Sequence, residues 1–318
     1  MLVVSTFIPD QQELVERLKI HFPAVTFSFY ENIDLVPSEE WTTAEVLITY
    51  GEDLKPHHIH DASALRWIMV TSAGMELMPL KELDQRNILV TNAKGIHKIP
   101  MAEYTLAMML QTARNTKRLI ASEIEGKWDR NTPISELNGR TLTILGAGSI
   151  GGEIARLASA FSMRILGVNS SGRGVPFIDE MYTLNELDIV LPQSDYVVSV
   201  LPSTIETRRL LKEKHFSLMK NSAVFINVGR GDLVDEKMLM HALEHGEIAH
   251  AVLDVFEVEP LPQDHPFWKM ENVTVTPHLS SRTKGYQPRA LEIFQHNLQV
   301  YLQGGSDYQN IINVKRGY

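Results

Sequence analysis

The stretch Gly146-Ala147-Gly148-Ser149-Ile150-Gly151 carries the most specific chemistry written in this chain. An apolar run, TLTIL (141–145), leads into it, and GEIARLASAF continues from it with helical character. Between a strand and a helix, glycines at this spacing have separate tasks. Gly146 permits a tight turn, Gly148 lets a backbone approach a pyrophosphate, and Gly151 lets the helix lie close against the strand. The phosphates would rest on the first helical N–H groups, at Ser149 and Ile150, where the helix dipole favours negative charge. Glycines also punctuate ordinary turns; the flanking strand and helix are what favour a dinucleotide.

A chain that grips NAD in this way usually places Asp or Glu about twenty residues further on, for the ribose hydroxyls. This chain has VNSSGRG (168–174) there, with Asn169, Ser170, Ser171 and Arg173 in place of an acid. Asn169 removes the repulsion that an aspartate would exert on a 2′-phosphate. The two serines add hydroxyl donors, and Arg173 can add a charge-assisted bond of about 1.5–3 kcal/mol. These residues point to NADP ahead of NAD, against the plainer alternative of a polar loop with Arg173 in water. A second cluster, His57, His58 and His60 in KPHHIHD, has imidazoles at close spacing, but no neighbouring residues complete a metal-binding set. A solvated loop and no metal are expected.

These residues need elements to position them. LVVST (2–6), VLITY (46–50), WIMVTS (67–72) and ILVTN (88–92) alternate with helical stretches, which argues for βαβ units and a parallel sheet. After Pro100 the period changes. Ala102, Leu106, Met109, Leu110 and Ala113 mark one face of a long helix running to about Gly126, with Met101 and Met108 also read as helix packing. A second series follows: TLTILGAG, MRILGVN, YVVSVL, AVFINVG, AHAVLDV and VTVTP, six strands that make a doubly wound domain on their own. A last helix, from about Gln287 to Gln303, is expected to return and cap the first domain.

The 318 residues suit two domains. With 44% hydrophobic and 22% charged residues the composition is that of a soluble globular protein. The absence of cysteine excludes disulfides and thiol catalysis and fits a reducing compartment. A formal charge of −9 argues against a general grip on nucleic acid or anionic lipid. No secretory signal and no membrane-length apolar run is evident, so a cytoplasmic protein is expected.

Four further segments, INVGRGDLVD (226–235), HAVLDVFEVEPLP (250–262), VTPHLSS (275–281) and GIHKIPMAEYTLAMML (95–110), keep a recognisable order. Together with the glycine turn and GKWDR (126–130), they resemble the D-isomer-specific 2-hydroxyacid dehydrogenases, glyoxylate/hydroxypyruvate reductases and phosphoglycerate dehydrogenases among them. The resemblance covers about 66 to 303 and implies an α/β enzyme of two doubly wound parallel-sheet domains with a cleft between them. A Rossmann cofactor domain would span 99–285. A flavodoxin-like substrate domain would be built from 1–98 and 286–318.

It also implies a reaction, hydride transfer from NAD(P)H to a small 2-keto acid to give the D-2-hydroxy acid. Reducing such a substrate needs a fork for its carboxylate and carbonyl, a proton donor, and a carboxylate that keeps the donor charged. The family's motifs place these tasks on Arg230, Glu259 and His278. By the same resemblance, Asp254 would lie near the nicotinamide carboxamide, and backbone N–H groups of Ser72, Ala73 and Gly74 would meet the substrate carboxylate. Pro202, Ser203 and Thr204 would pass the adenosine and phosphates, although a helix N-cap would account equally for the Ser-Thr pair. Asn169 lies eighteen residues beyond Gly151 (169 − 151 = 18), where relatives that prefer NAD carry their aspartate. Arg282 would approach a second acidic group of the substrate or form a surface salt bridge, and Tyr50 would line the cleft. His97, at the entry to the long helix, has no assigned role. A homodimer is expected through the long helix and the segment after it, with Trp128 either at that interface or simply buried. A cofactor-sensing or co-repressor-like binding protein on the same fold is the alternative function.

Overall fold

The computed structural model describes residues 1–8, 11–72, 75 and 77–315. Two compact units emerge, one formed by 1–96 with 283–318 and the other by 97–282.

The first unit is a five-stranded parallel sheet in the order β2-β1-β3-β4-β5. Its strands are β1 (Leu2–Ser5), β2 (Thr26–Phe29), β3 (Val46–Thr49), β4 (Trp67–Val70) and β5 (Leu89–Asn92). The helices between them are α1 (Gln12–His21), α2 (Ser38–Thr43), α3 (Pro56–Asp61) and α4 (Leu80–Gln85). This is the flavodoxin-like strand order. The three central strands β1, β3 and β4 are almost wholly buried, which is why their sequences are unbroken apolar runs. The edge strand β2, TFSF, alternates and is only partly buried, so it lacked the run that marked the others.

The histidine cluster is helical and not a loop, with His57 and His60 exposed and His58 buried. Pro56 sits in the first turn of α3, and the buried His58 ring accepts the Lys55 N–H at 3.1 Å. Burial, more than the neighbouring charges, holds His58 below the usual histidine range.

The second unit contains seven parallel strands in the order β12-β11-β10-β9-β6-β7-β8. They are β6 (Thr141–Leu145), β7 (Arg164–Val168), β8 (Glu180–Tyr182), β9 (Tyr196–Ser199), β10 (Val224–Asn227), β11 (His250–Leu253) and β12 (Val273–Val275). The helices are α5 (Lys98–Ala113), α6 (Thr116–Ile124), α7 (Ser149–Ser159), α8 (Leu187–Val190), α9 (Glu213–Leu218) and α10 (Glu236–Glu244). The three-residue edge strand β8 raises the expected six strands to seven.

The long helix expected to reach Gly126 is two helices. Asn115 adopts φ 50°, ψ 42°, a left-handed conformation that asparagine tolerates and that ends α5 after Ala113. Ala102, Leu106 and Met109 of α5 share a core with Ile154, Ala155 and Ala158 of α7. Beyond the break, Ile124 and Trp128 are 81% and 90% exposed, so Trp128 is not a core residue.

The final helix, α11 (Tyr286–Leu302), belongs to the first unit. Phe294 stacks on the fully buried Trp67 at 5.3 Å, and the Trp67 indole donates to Thr91 Oγ1 at 2.9 Å. No helix among the described residues is long and apolar enough to cross a membrane.

His250, at the start of β11, has its ring Nε2 3.0 Å from Thr274 Oγ1. Burial first, and the Lys117 charge second, push it down to about 4. The folded state therefore holds His250 neutral, while the unfolded chain protonates it from about pH 6.5 downward. This contribution, about 3 kcal/mol, is complete above that pH and is lost as pH falls toward 4. Thermal melts between pH 7 and pH 4 should fall less steeply for His250→Gln than for the parent; parallel curves would exclude this group.

Candidate active site

The six neighbouring strands from β12 to β7 deliver the expected residues of the second unit at one edge of the sheet, the edge formed by their C-terminal ends. His278 follows β12, Asp254 and Glu259 follow β11, Arg230 follows β10, Pro202 and Ser203 follow β9, the glycine turn follows β6, and Asn169 follows β7. The chain order reverses between β6 and β9, and ligands of doubly wound sheets bind at that crevice.

The turn after β6 is built as its sequence demands. Gly146 has φ +101°, and a Cβ there would come within 3.1 Å of Val200 across the crevice. Its N–H and that of Ala147 donate to the Val168 carbonyl at 2.9 Å. At Gly151 a Cβ would lie 2.5 Å from the Gly146 carbonyl oxygen, so only glycine allows this packing of α7 on β6. At Gly148 a Cβ would meet nothing within 4 Å. The first-turn N–H groups of Ser149, Ile150 and Gly151 have no backbone acceptor among the described residues. An open glycine beside free donors fits a pyrophosphate.

The loop after β7 is held by its own side chains. Asn169 Oδ1 accepts the Ser171 N–H at 3.0 Å, and Asn169 Nδ2 donates to the Arg173 carbonyl at 3.1 Å. Gly172, at φ +65°, completes the bend. Ser170, Ser171 and Arg173 are left exposed, with no carboxylate within ion-pair distance of Arg173 among the described residues.

After β9, Thr204 and Thr207 exchange backbone-to-hydroxyl bonds at 2.8 and 3.3 Å and close a turn, not a helix N-cap. Ser203 Oγ donates instead to Asp232 Oδ2 at 2.6 Å, which also lies 3.3 Å from Arg208 Nε. Asp232 thereby ties the β9 loop to the turn carrying Arg230, a link that sequence reasoning missed. Arg230 itself is exposed; Asn227 Nδ2 donates to its carbonyl at 2.9 Å and fixes the backbone that presents it.

His278 Nδ1 lies 2.7 Å from Glu259 Oε2, both side chains being partly exposed. Glu259 Oε1 accepts the Phe256 N–H at 3.0 Å, so the carboxylate is oriented from both sides. His278 sits at φ +48°, an uncommon conformation for a residue other than glycine. Asp254 imposes it. This fully buried carboxylate accepts Thr276 Oγ1 at 2.7 Å and the N–H groups of Leu279 and Ser280 at 2.9 Å, while the Asp254 carbonyl accepts the His278 N–H at 2.9 Å. Since the Thr276 proton goes to Asp254, the Tyr104 hydroxyl 2.6 Å away must donate to Thr276. Burial pushes that phenol up to about 12. The Asp254 carboxylate clamps the histidine loop at the end of β11, where the resemblance also places it beside the nicotinamide carboxamide.

In the first unit, Ser72 Oγ donates to the Tyr50 carbonyl at 3.1 Å, at the ends of β4 and β3. Tyr50 stacks against Tyr286 and meets Phe7 edge-on, and the Tyr286 hydroxyl donates to the Thr71 carbonyl at 2.8 Å. Ala73 and Gly74 lie outside the described residues. Arg282 is exposed and forms no ion pair among the described residues, so the expected surface salt bridge is absent there.

The NAD binding domain model of the D-isomer specific 2-hydroxyacid dehydrogenases matches residues 106–280. The chain belongs to that family. It is 33% identical to glyoxylate/hydroxypyruvate reductase B of Escherichia fergusonii over 98% of this chain and 97% of that protein. It is also 33% identical to D-3-phosphoglycerate dehydrogenase of Methanocaldococcus jannaschii, over 87% of this chain, but spans only about half (53%) of that longer protein. Among solved structures, a D-isomer specific 2-hydroxyacid dehydrogenase family protein from Aeromonas salmonicida superposes with TM-score 0.85 and 34% identity, covering 98% of both chains. An NADPH-dependent glyoxylate/hydroxypyruvate reductase from Sinorhizobium meliloti, solved with NADP and sulfate, superposes with TM-score 0.78 and 25% identity over 100% of this chain and 99% of that one. The chain is thus of an NAD(P)-dependent 2-hydroxyacid dehydrogenase family, on two parallel α/β sheets.

The two glycines should respond oppositely to a methyl group. Gly151→Ala should lower stability to urea by about 1–3 kcal/mol through overpacking. Gly148→Ala should unfold like the parent yet lose cofactor affinity in a fluorescence titration. Equal effects on both quantities would contradict the assignment of this turn.

Proposed function

We propose that this protein reduces a short 2-keto acid, such as glyoxylate or hydroxypyruvate, to the D-2-hydroxy acid, with NADPH preferred over NADH. The observation that carries the reading is the His278–Glu259 contact at 2.7 Å on the same sheet edge as Arg230 and the glycine turn. When bound, the nicotinamide supplies the hydride.

The remaining tasks fall to the chain. Arg230, exposed at the end of β10, binds the substrate carboxylate and polarises its carbonyl through the planar guanidinium fork. His278 donates a proton to the carbonyl oxygen as it becomes a hydroxyl, and Glu259 holds the ring oriented and stabilises its charged form. Asp254 keeps the histidine loop in position. Backbone donors near Ser72, Ala73 and Gly74 add to the carboxylate grip. Pro202 and Ser203 border the cofactor, beside the turn at Gly146, Gly148, Ser149, Ile150 and Gly151.

NADPH preference rests on the loop after β7. Asn169 uses both ends of its amide to shape the loop, its Oδ1 taking the Ser171 hydroxyl as well as the Ser171 N–H, which leaves the exposed Ser170 and Arg173 as donors for a 2′-phosphate. The NADP complex of the S. meliloti relative supports the same reading. The exposure of Ile120 and Ile124 on α6 and of Trp128 in the segment after it supports a homodimer, since exposed large apolar side chains mark interaction surfaces.

A panel of short 2-keto acids with NADPH should show cofactor oxidation. The rate should fall at least about 100-fold in His278→Ala, with cofactor affinity almost unchanged. Cofactor binding without turnover of any keto acid would favour the cofactor-sensing protein instead. The parent should have higher kcat/KM with NADPH than with NADH, and Asn169→Asp should narrow or reverse the ratio, because it adds a charge and removes the donor to the Arg173 carbonyl. Equal use of both cofactors by the parent would refute the preference.

A further inference from the structure

Arg209 lies outside every role assigned above. It stands in the segment after β9 at φ +51°, a left-handed conformation that glycine or asparagine adopts more easily. Its backbone is anchored there: the Arg209 N–H donates to the Asp232 carbonyl at 2.8 Å, and two residues on Leu211 pairs with Val234. The guanidinium therefore leaves a fixed base.

Its two partners stand on different loops. Arg209 Nη1 donates to Asp235 Oδ2, and Nη2 lies 2.9 Å from Glu257 Oε1 and 3.1 Å from Glu257 Oε2. Asp235 is itself held as the N-cap of α10, its Oδ1 accepting the Lys237 N–H at 2.9 Å and the Met238 N–H at 3.3 Å. Glu257 stands on the short loop between Asp254 and Glu259, where Glu236 Oε1 takes its N–H at 2.9 Å. No other cation lies within ion-pair distance of Asp235 or Glu257 among the described residues. Without the guanidinium, those two carboxylates face each other with no countercharge between them.

The peptide that would then shift borders the candidate site on both sides. The Phe256 N–H donates to Glu259 Oε1 at 3.0 Å, while Glu259 Oε2 meets His278. Gly231, next to Arg230, touches the same peptide: a Cβ there would lie 2.0 Å from the Phe256 carbonyl carbon. We propose that Arg209 is a positioning residue, which by bridging Asp235 and Glu257 holds the 255–259 loop so that Glu259 stays on His278. Its kinetic consequence rests on the reductase reading of Glu259 and His278; its hold on the loop does not.

Arg209→Gly removes both bridges and leaves a residue that accepts the backbone. It should melt close to the parent, because glycine tolerates φ +51° and partly exposed ion pairs add little stability. Hydrogen exchange at the Phe256 and Glu257 amides should nonetheless quicken by about tenfold. In turnover of a short 2-keto acid with NADPH, kcat should fall roughly tenfold while both KM values stay within about twofold. Glu257→Ala should lose a similar amount, and the double variant no more than Arg209→Gly alone. Unchanged amide exchange, faster exchange with the parent kcat, or losses that add in the double variant would overturn the role of Arg209. Should the parent turn over no keto acid, the reductase reading falls by itself and amide exchange alone decides whether Arg209 holds the loop.

Discussion

One buried carboxylate holds the candidate site in order. Asp254 is sealed from solvent, and an ionised carboxyl group is tolerated in such a place only when its oxygens are satisfied by donors. Those donors are the Thr276 hydroxyl and the N–H groups of Leu279 and Ser280, so one group pins both flanks of His278. The resulting loop forces His278 to positive φ and turns its ring onto Glu259. The strain is local, and the hydrogen bonds around it offset its cost. Tyr104 extends the chain of donors into α5, which packs on the helix of the glycine turn. His278 and the glycine turn are thereby parts of one connected framework.

The parallel sheet supplies the rest of the positioning. Each strand ends at the same edge, so residues more than a hundred positions apart in sequence emerge side by side. Buried strands make that edge rigid, and short loops carry the chemistry out of it. Asp232 joins two of those loops, and Asn227 fixes the one that carries Arg230. Arg230 is left exposed, with its guanidinium donating to the Gly229 carbonyl at 2.8 Å.

Much of this was legible in the sequence where a local rule decides the outcome. The glycine turn is such a case, because 2.5 Å between a Gly151 Cβ and a carbonyl oxygen leaves no alternative residue. Central strands were legible as apolar runs, whereas β2 and β8 were not, since edge strands are short and half-buried. The helix break at Asn115 escaped because apolar periodicity continues across it and one left-handed residue leaves little trace in composition. Asp254 was singled out from a motif, yet its hold on residues more than twenty positions away depends on strand pairing that no local pattern encodes. The histidine cluster was only partly legible: His57 and His60 are exposed as expected, whereas His58 is buried because the helix it caps is packed against Trp41.

The crystal structure of Asp254→Asn tests the central claim most directly. An amide keeps the size of the carboxylate but turns one acceptor into a donor, facing an N–H group that already donates. The account predicts an unchanged sheet with the 278–280 loop displaced and His278 Nδ1 out of hydrogen-bond reach of Glu259. A loop superposable on the parent, with the His278–Glu259 contact intact, would contradict it.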